Sequence, residues 1–202
     1  MAHPEIVVVI PESTRKRPGG DARAPKGGFA DALPPAARGS LTRLRKEVLE
    51  KSPKGNVDAG GFLPAWVRFD GNMYRHIPRE AWEGRAKGVE ILIASGLFGV
   101  LGSGDAIPSY AHSMAEAMPP FGKLNRWWRD AGLPGILHEY LAAVRPRIVV
   151  DLLSLEYREA VQGYAEGLTG IAMRTVDFPG TGRGSQPRRG EKVAEILRTG
   201  RA

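Results

Sequence analysis

VEILIASGLFGVLGSGDAIPSY, Val89–Tyr110, begins as an aliphatic run and passes into a segment with four glycines and a single acid, Asp105. A run that is aliphatic on both of its faces belongs in a sheet covered on both sides, the usual setting of parallel strands. Val89–Ala94 is therefore read as such a strand. Glu5–Ile10 and Arg147–Leu152 repeat the pattern, and Gly170–Phe178 reads as a fourth strand. Helical periodicity fills the intervals. Ser40 stands as the N-cap of LTRLRKEVLEK, in which Leu41, Leu44, Val48 and Leu49 share one face. GKLNRWWRDAG, PGILHEYLAAV and LEYREAVQGY follow, and a last helix runs from near Pro187 to a stop at Gly200. Alternating strands and helices predict an α/β fold: one compact domain over residues 1–202, with a largely parallel or mixed sheet flanked by helices. Residues 14–39, rich in Gly, Pro, Ala and Arg, read as a mobile loop.

At 202 residues and 42% hydrophobic, the chain has material for one core. The absence of cysteine excludes disulfides, a cysteine nucleophile and thiolate metal sites, and it fits a reducing compartment. The apolar run Ile6–Ile10 is too short for a signal peptide, and no stretch reaches the roughly 18 apolar residues of a membrane span. The expectation is a cytoplasmic protein without a membrane partner. None of the four histidines stands in a zinc-binding spacing, so neither a metal site nor a cofactor is called for. No G-x-S-x-G is present to suggest a hydrolytic triad. The formal net charge is +7, gathered toward both ends, which suits a polyanionic ligand if the fold brings the ends together.

In open parallel sheets, ligands bind outside the carboxyl ends of the strands. Here each strand runs into a polar turn, PESTRKRPGG, SGLFGVLGSGD, SLEY and PGTGRGS, so parallel strands would crowd all four turns into one crevice. GTGRGSQPRRG (Gly180–Gly190) offers amides and arginines to a phosphate at a helix start, or is a flexible turn. ESTRKR offers the Ser13 and Thr14 hydroxyls and the cations Arg15, Lys16 and Arg17, or is a solvated loop. Trp127–Trp128 would stack bases, or would split into one core and one surface residue, the reading preferred here. Asp105 and Glu156, beside Tyr110 and Tyr157, would grip ribose hydroxyls, take a proton or cap a helix; taken singly, each reads as a cap.

Together these elements resemble the YaaA family (DUF328, also UPF0246), linked to peroxide stress in bacteria. IPESTRK (Ile10–Lys16) is similar to its first-strand motif, and RFDGNMYRHI (Arg68–Ile77) to its G-x-x-Y element. SGLFGVLGSGDAIPSYAHSM (Ser95–Met114) resembles SGLYG-L-RP-D-I-PYRL-M, and DLLSLEY (Asp151–Tyr157) resembles N-L-A-S-x-E-Y. Gly102–Ser103 replaces the family's Arg-Pro, and FPGTGRGSQPRRG stands where the family has F-x-K-x-A-R-G. The resemblance implies a compact α/β fold with a helix-hairpin-helix-like element, DNA binding, and protection from peroxide by limiting free iron. Some relatives act on the ribose of a nucleotide in nucleoside-antibiotic pathways.

Two readings follow. In the first, the chain is a DNA-binding stress protein with little or no catalysis; Arg183, Arg188, Arg189 and Lys192 meet phosphates, assisted by Arg15, Lys16 and Arg17. In the second, it is an enzyme acting on a nucleotide or nucleoside. Amides around Ser95–Gly96 and Gly182–Gly184 would then hold the phosphate. Asn72 and Tyr74, with Tyr110, Ser154 and Tyr157, would orient the ligand, and Asp105 or Glu156 would be the catalytic carboxylate.

Overall fold

In the computed structural model, residues 3–22, 27–53 and 56–202 are described, without the side chains of Ala59 and Arg183. The strands are β1 (Ile6–Pro11), β2 (Val57–Pro64), β3 (Val89–Ser95), β4 (Gly99–Gly102), β5 (Ala106–Tyr110), β6 (Ala117–Met118), β7 (Gly122–Lys123), β8 (Ile148–Asp151) and β9 (Ala172–Thr175). The helices are α1 (Pro35–Lys51), α2 (Ala65–Arg68), α3 (Asn72–Arg75), α4 (Arg79–Glu83), α5 (Leu124–Asp130), α6 (Leu133–Val144), α7 (Leu155–Ala160) and α8 (Ser185–Thr199).

The main sheet has the order β4-β3-β1-β8-β9. The three aliphatic runs of the sequence and the fourth expected strand are its four parallel strands, in register Ile6↔Val89, Ile6↔Ile148 and Ile148↔Ala172. β1 lies at the centre, with Ile6–Ile10 at most 2% exposed. Each such side chain contributes roughly 1.5–3 kcal/mol by leaving water. Helix pairs α1 with α6, α5 with α7, and α3 and α4 with α8 pack against one another. No helix among the described residues is long and apolar enough to cross a membrane.

Several things differ from the sequence reading, which had neither the antiparallel pair β2–β5 nor α2 to α4, and three of them bear on the site. Part of the glycine-rich turn is a strand: β4 folds back antiparallel on β3, pairing Ser95 with Gly99. Gly99 has φ +72° at this reversal, and a Cβ there would press on Trp128 and Leu133, so only glycine fits. Secondly, α1 begins five positions before Ser40, because Pro35 supplies the preset φ of a first helical residue. Thirdly, residues 14–39 hold ordered pairings rather than a featureless loop: Lys16 bridges Phe69, Asp21 bridges Phe62, and a 3-10 turn covers Phe29–Ala32. Residues 23–26 of that segment lie outside the described residues.

The two tryptophans divide as preferred above. Trp128 is fully buried and donates from Nε1 to the Gly96 carbonyl at 2.7 Å, while Trp127 is half-buried against Phe121.

Candidate functional site

The parallel strands follow the order second, first, third, fourth in chain sense, so connections leave β1 and β8 toward opposite sides. The carboxyl ends of that pair form the kind of switch point at which open α/β sheets hold ligands. The turns after β1, β8 and β9 therefore share one edge of the sheet with the start of the turn after β3, the rest of which runs back along β3 as β4.

The centre of this edge is Glu12, the first residue after β1 and 5% exposed. Its Oε1 accepts the amides of Gly96 at 2.7 Å and Met114 at 2.8 Å. Its Oε2 accepts the Tyr110 hydroxyl and lies 3.9 Å from Lys16 Nζ. Tyr110 in turn pairs with Ser95 Oγ at 2.8 Å, and Lys16 Nζ sits 3.9 Å above the Tyr110 ring. Tyr74 donates to the Pro11 carbonyl at 2.9 Å. Burial pushes the Glu12 carboxyl up, opposed by Lys16, Tyr110 and the two amides; burial pushes the Lys16 amine down, opposed by Glu12. Desolvation, followed by the nearby Glu12 charge, pushes Tyr74, Tyr110 and Tyr157 well above the ordinary phenol range. Three tyrosines from separate motifs are thus all influenced by the charge of one carboxylate that the sequence does not single out, Tyr110 through a direct hydrogen bond. The signal was the acid inside IPESTRK, directly after a buried strand.

This arrangement corrects several expectations. Ser95 and Gly96 do not face a phosphate: both are buried, and the Gly96 amide is taken by Glu12. Lys16 is no solvent-facing cation, since its side chain is 2% exposed and bound to Glu12 and the His112 carbonyl. Asp105 does not lie at the carboxyl edge. It follows β4 beside the early part of β3, where Ser103 bonds the Ile91 carbonyl, and it accepts the Phe29 amide at 2.8 Å. It therefore caps a 3-10 turn from a distance. Its carboxyl is raised by burial, offset in part by that amide and Arg45. Glu156 is exposed at the start of α7, accepting Ser154 Oγ at 3.2 Å. The two carboxylates stand on different parts of the sheet and form no acid–base pair.

Around the crevice mouth, Ser13 bonds the Arg15 carbonyl and lies so close to Gly71 that a Cβ there would collide with its hydroxyl. Thr14 and Asn72 are exposed. Arg15, Arg17 and Arg75 converge on Asp70 at 3.2, 3.6 and 3.0 Å, and bonding to Arg75 holds that carboxyl below its usual range. Beside them lies a groove of about 240 Å³ lined by Arg17, Arg75, Arg79, Trp66 and Trp82, with the two indoles stacked at 5.7 Å and 22°. Neither tryptophan was singled out in the sequence, because each sits alone outside the quoted motifs. Gly182 and Gly184 form the 3-10 turn before α8, and the Arg183 side chain lies outside the described residues. Arg188 is exposed and Lys192 pairs with Glu195 at 3.1 Å. Arg189 is buried. No cluster of potential metal ligands occurs among the described residues.

A family model described as peroxide stress protein YaaA matches residues 36–187. A UPF0246 protein of Streptomyces coelicolor is 31% identical over 135 residues, covering 65% of this chain and 48% of the relative. A UPF0246 protein of Ruegeria sp. is 28% identical over 136 residues, covering 56% and 54% respectively. One from Francisella tularensis is 27% identical over 128 residues, covering 59% and 49%. The chain spans about half the length of these curated relatives.

Proposed function

The chain belongs to the YaaA peroxide stress family, and from that membership we propose that it binds nucleic acid, without turnover, along the basic groove beside α3. What carries the reading is the convergence of Arg15, Arg17 and Arg75 on the single carboxylate of Asp70. Three guanidiniums against one acid leave positive charge uncompensated at a groove that also contains a stacked indole pair. Phosphates neutralise the surplus, and Trp66, half-buried at the wall, supplies an aromatic surface for an unstacked base. The setting proposed is the cytoplasm during oxidative stress.

Fluorescence anisotropy with single- and double-stranded DNA tests this. Three phosphate contacts give a slope of about −2.7 in log affinity against log salt, a loss of about 40-fold between 50 and 200 mM. The triple variant Arg15→Ser/Arg17→Ser/Arg75→Ser is expected to bind at least about tenfold more weakly at low salt, with a nearly flat salt slope. Wild-type affinity in that variant, or no binding of either DNA form by the parent protein at low salt, rejects the groove.

A further inference from the structure

Arg189 is 4% exposed, and its Nε and Nη1 are enclosed without an acceptor among the described residues. Helical side chains lean toward the helix N-terminus, which carries this guanidinium back to the Phe178 ring, 5.6 Å from its centroid. The charged groups nearest it are Asp151 at the carboxyl end of β8, Asp177 just after β9, and Arg158 on α7. Both acids are already engaged by Arg158. Asp151 takes its Nε and Nη2 at 3.3 Å each and the Leu153 amide at 2.9 Å; Asp177 takes Nη2 at 3.0 Å. Two carboxylates serve one arginine, and a second arginine, enclosed beside them, has none.

Packing explains why Arg189 cannot simply leave. A Cβ on the neighbouring Gly190 would collide with the Met73 carbonyl, so α8 is seated directly on α3 and the position of residue 189 is set by that contact. An enclosed guanidinium without hydrogen-bond partners is costly, and such groups call for an occupant that completes them. An anion with several acceptor oxygens matches both the charge and the unused N–H groups, because the nearby acids are committed. The Phe178 ring lies against the guanidinium, and the chain leading from it to α8 includes Gly180 and Gly182 at φ +71° and +49°.

We propose that Arg189 is the anchor of a phosphate-binding site: a free phosphate or a phosphate monoester enters past Phe178 at the ends of β8 and β9 and accepts the unused guanidinium N–H groups. The site uses none of the arginines on Asp70; Arg189 lies beyond the end of the family match at residue 187, whereas Asp151, Arg158, Asp177 and Phe178 lie within it.

Thermal unfolding of the full chain tests the site, with potassium phosphate compared with potassium chloride at equal ionic strength. In the parent protein, phosphate raises Tm by several degrees once it exceeds its dissociation constant about 100-fold. Arg189→Met, of similar length and without charge, has two expected signatures: Tm in chloride at or above the parent's, because an unpaired buried charge is gone, and a phosphate increment reduced to the general salting effect. A lowered Tm in chloride, an undiminished phosphate increment in the variant, or no specific increment in the parent would overturn the assignment. A nucleoside 5′-monophosphate acting at lower concentration than inorganic phosphate, with the bare nucleoside inactive, identifies a nucleotide as the source; equal concentrations identify free phosphate. The triple arginine variant of the groove keeps the phosphate response, so the two sites fail separately.

Discussion

Glu12→Ala is expected to destabilise the protein by about 4 kcal/mol, the range found when one partner of a buried ion pair is removed. The substitution leaves the buried Gly96 and Met114 amides without an acceptor and takes the carboxylate from the Tyr110 hydroxyl and the Lys16 amine, which keep Ser95 Oγ and the His112 carbonyl. Each buried group left unpaired costs about 1–3 kcal/mol, with partial relief from relaxation. For a chain of this length the loss corresponds to a fall in Tm of roughly 8–16 °C. Glu12→Gln keeps an acceptor for the two amides on Oε1 and is expected to lose about half as much. Glu12→Ala combined with Lys16→Met should cost less than the two single changes added together, because the second removes the cation that the first strands. Chemical denaturation of the four proteins measures this cycle. A cost below about 1 kcal/mol for Glu12→Ala would show that the carboxylate does not hold the crevice together.

Arg68→Met is expected to cost about 3 kcal/mol, a fall of roughly 6–12 °C in Tm. Arg68 is fully buried and has no ion-pair partner among the described residues. Its guanidinium instead ties together carbonyls from three segments: Arg17 and Gly19 after β1, Gly61 in β2, and Ile107 in β5. Methionine fills the space but strands these acceptors, and lysine, a point donor, cannot span the fork. Limited proteolysis locates the effect, with faster cleavage near residues 17–22 while the main sheet stays protected. Because Arg17 is placed by this tie, Arg68→Met is also expected to weaken the proposed DNA binding in the anisotropy assay. Unchanged cleavage together with unchanged stability rejects the tie.

How far the site could be read from residue order differs by kind of residue. Tyr74, Tyr110 and Tyr157, from separate motifs, are all buried and all raised in part by the charge of Glu12, which only Tyr110 contacts directly. Lys16, Ser95 and Gly96 were chosen for the right place and the wrong partner. A cation or free amide in a polar turn looks the same in sequence whether it faces solvent or a buried carboxylate. Asp105 was misplaced for another reason. Local pattern shows a turn after β3 but not that β4 folds back along it, which carries residue 105 away from the carboxyl edge.

The sequence by itself determined the parallel strands and the helices between them, because periodicity and aliphatic continuity are local consequences of which faces must leave water. It also determined that polar turns follow those strands at one edge of the sheet, where Glu12 and its partners are buried. Only the tertiary structure decided which charges are buried, which are paired and which are left over. Glu12 is matched to Lys16 across one turn, Arg158 claims both Asp151 and Asp177, and Arg189 is enclosed with neither. Pairing at 3–4 Å depends on side chains from distant segments competing for the same few acceptors, and no local pattern records the outcome of that competition.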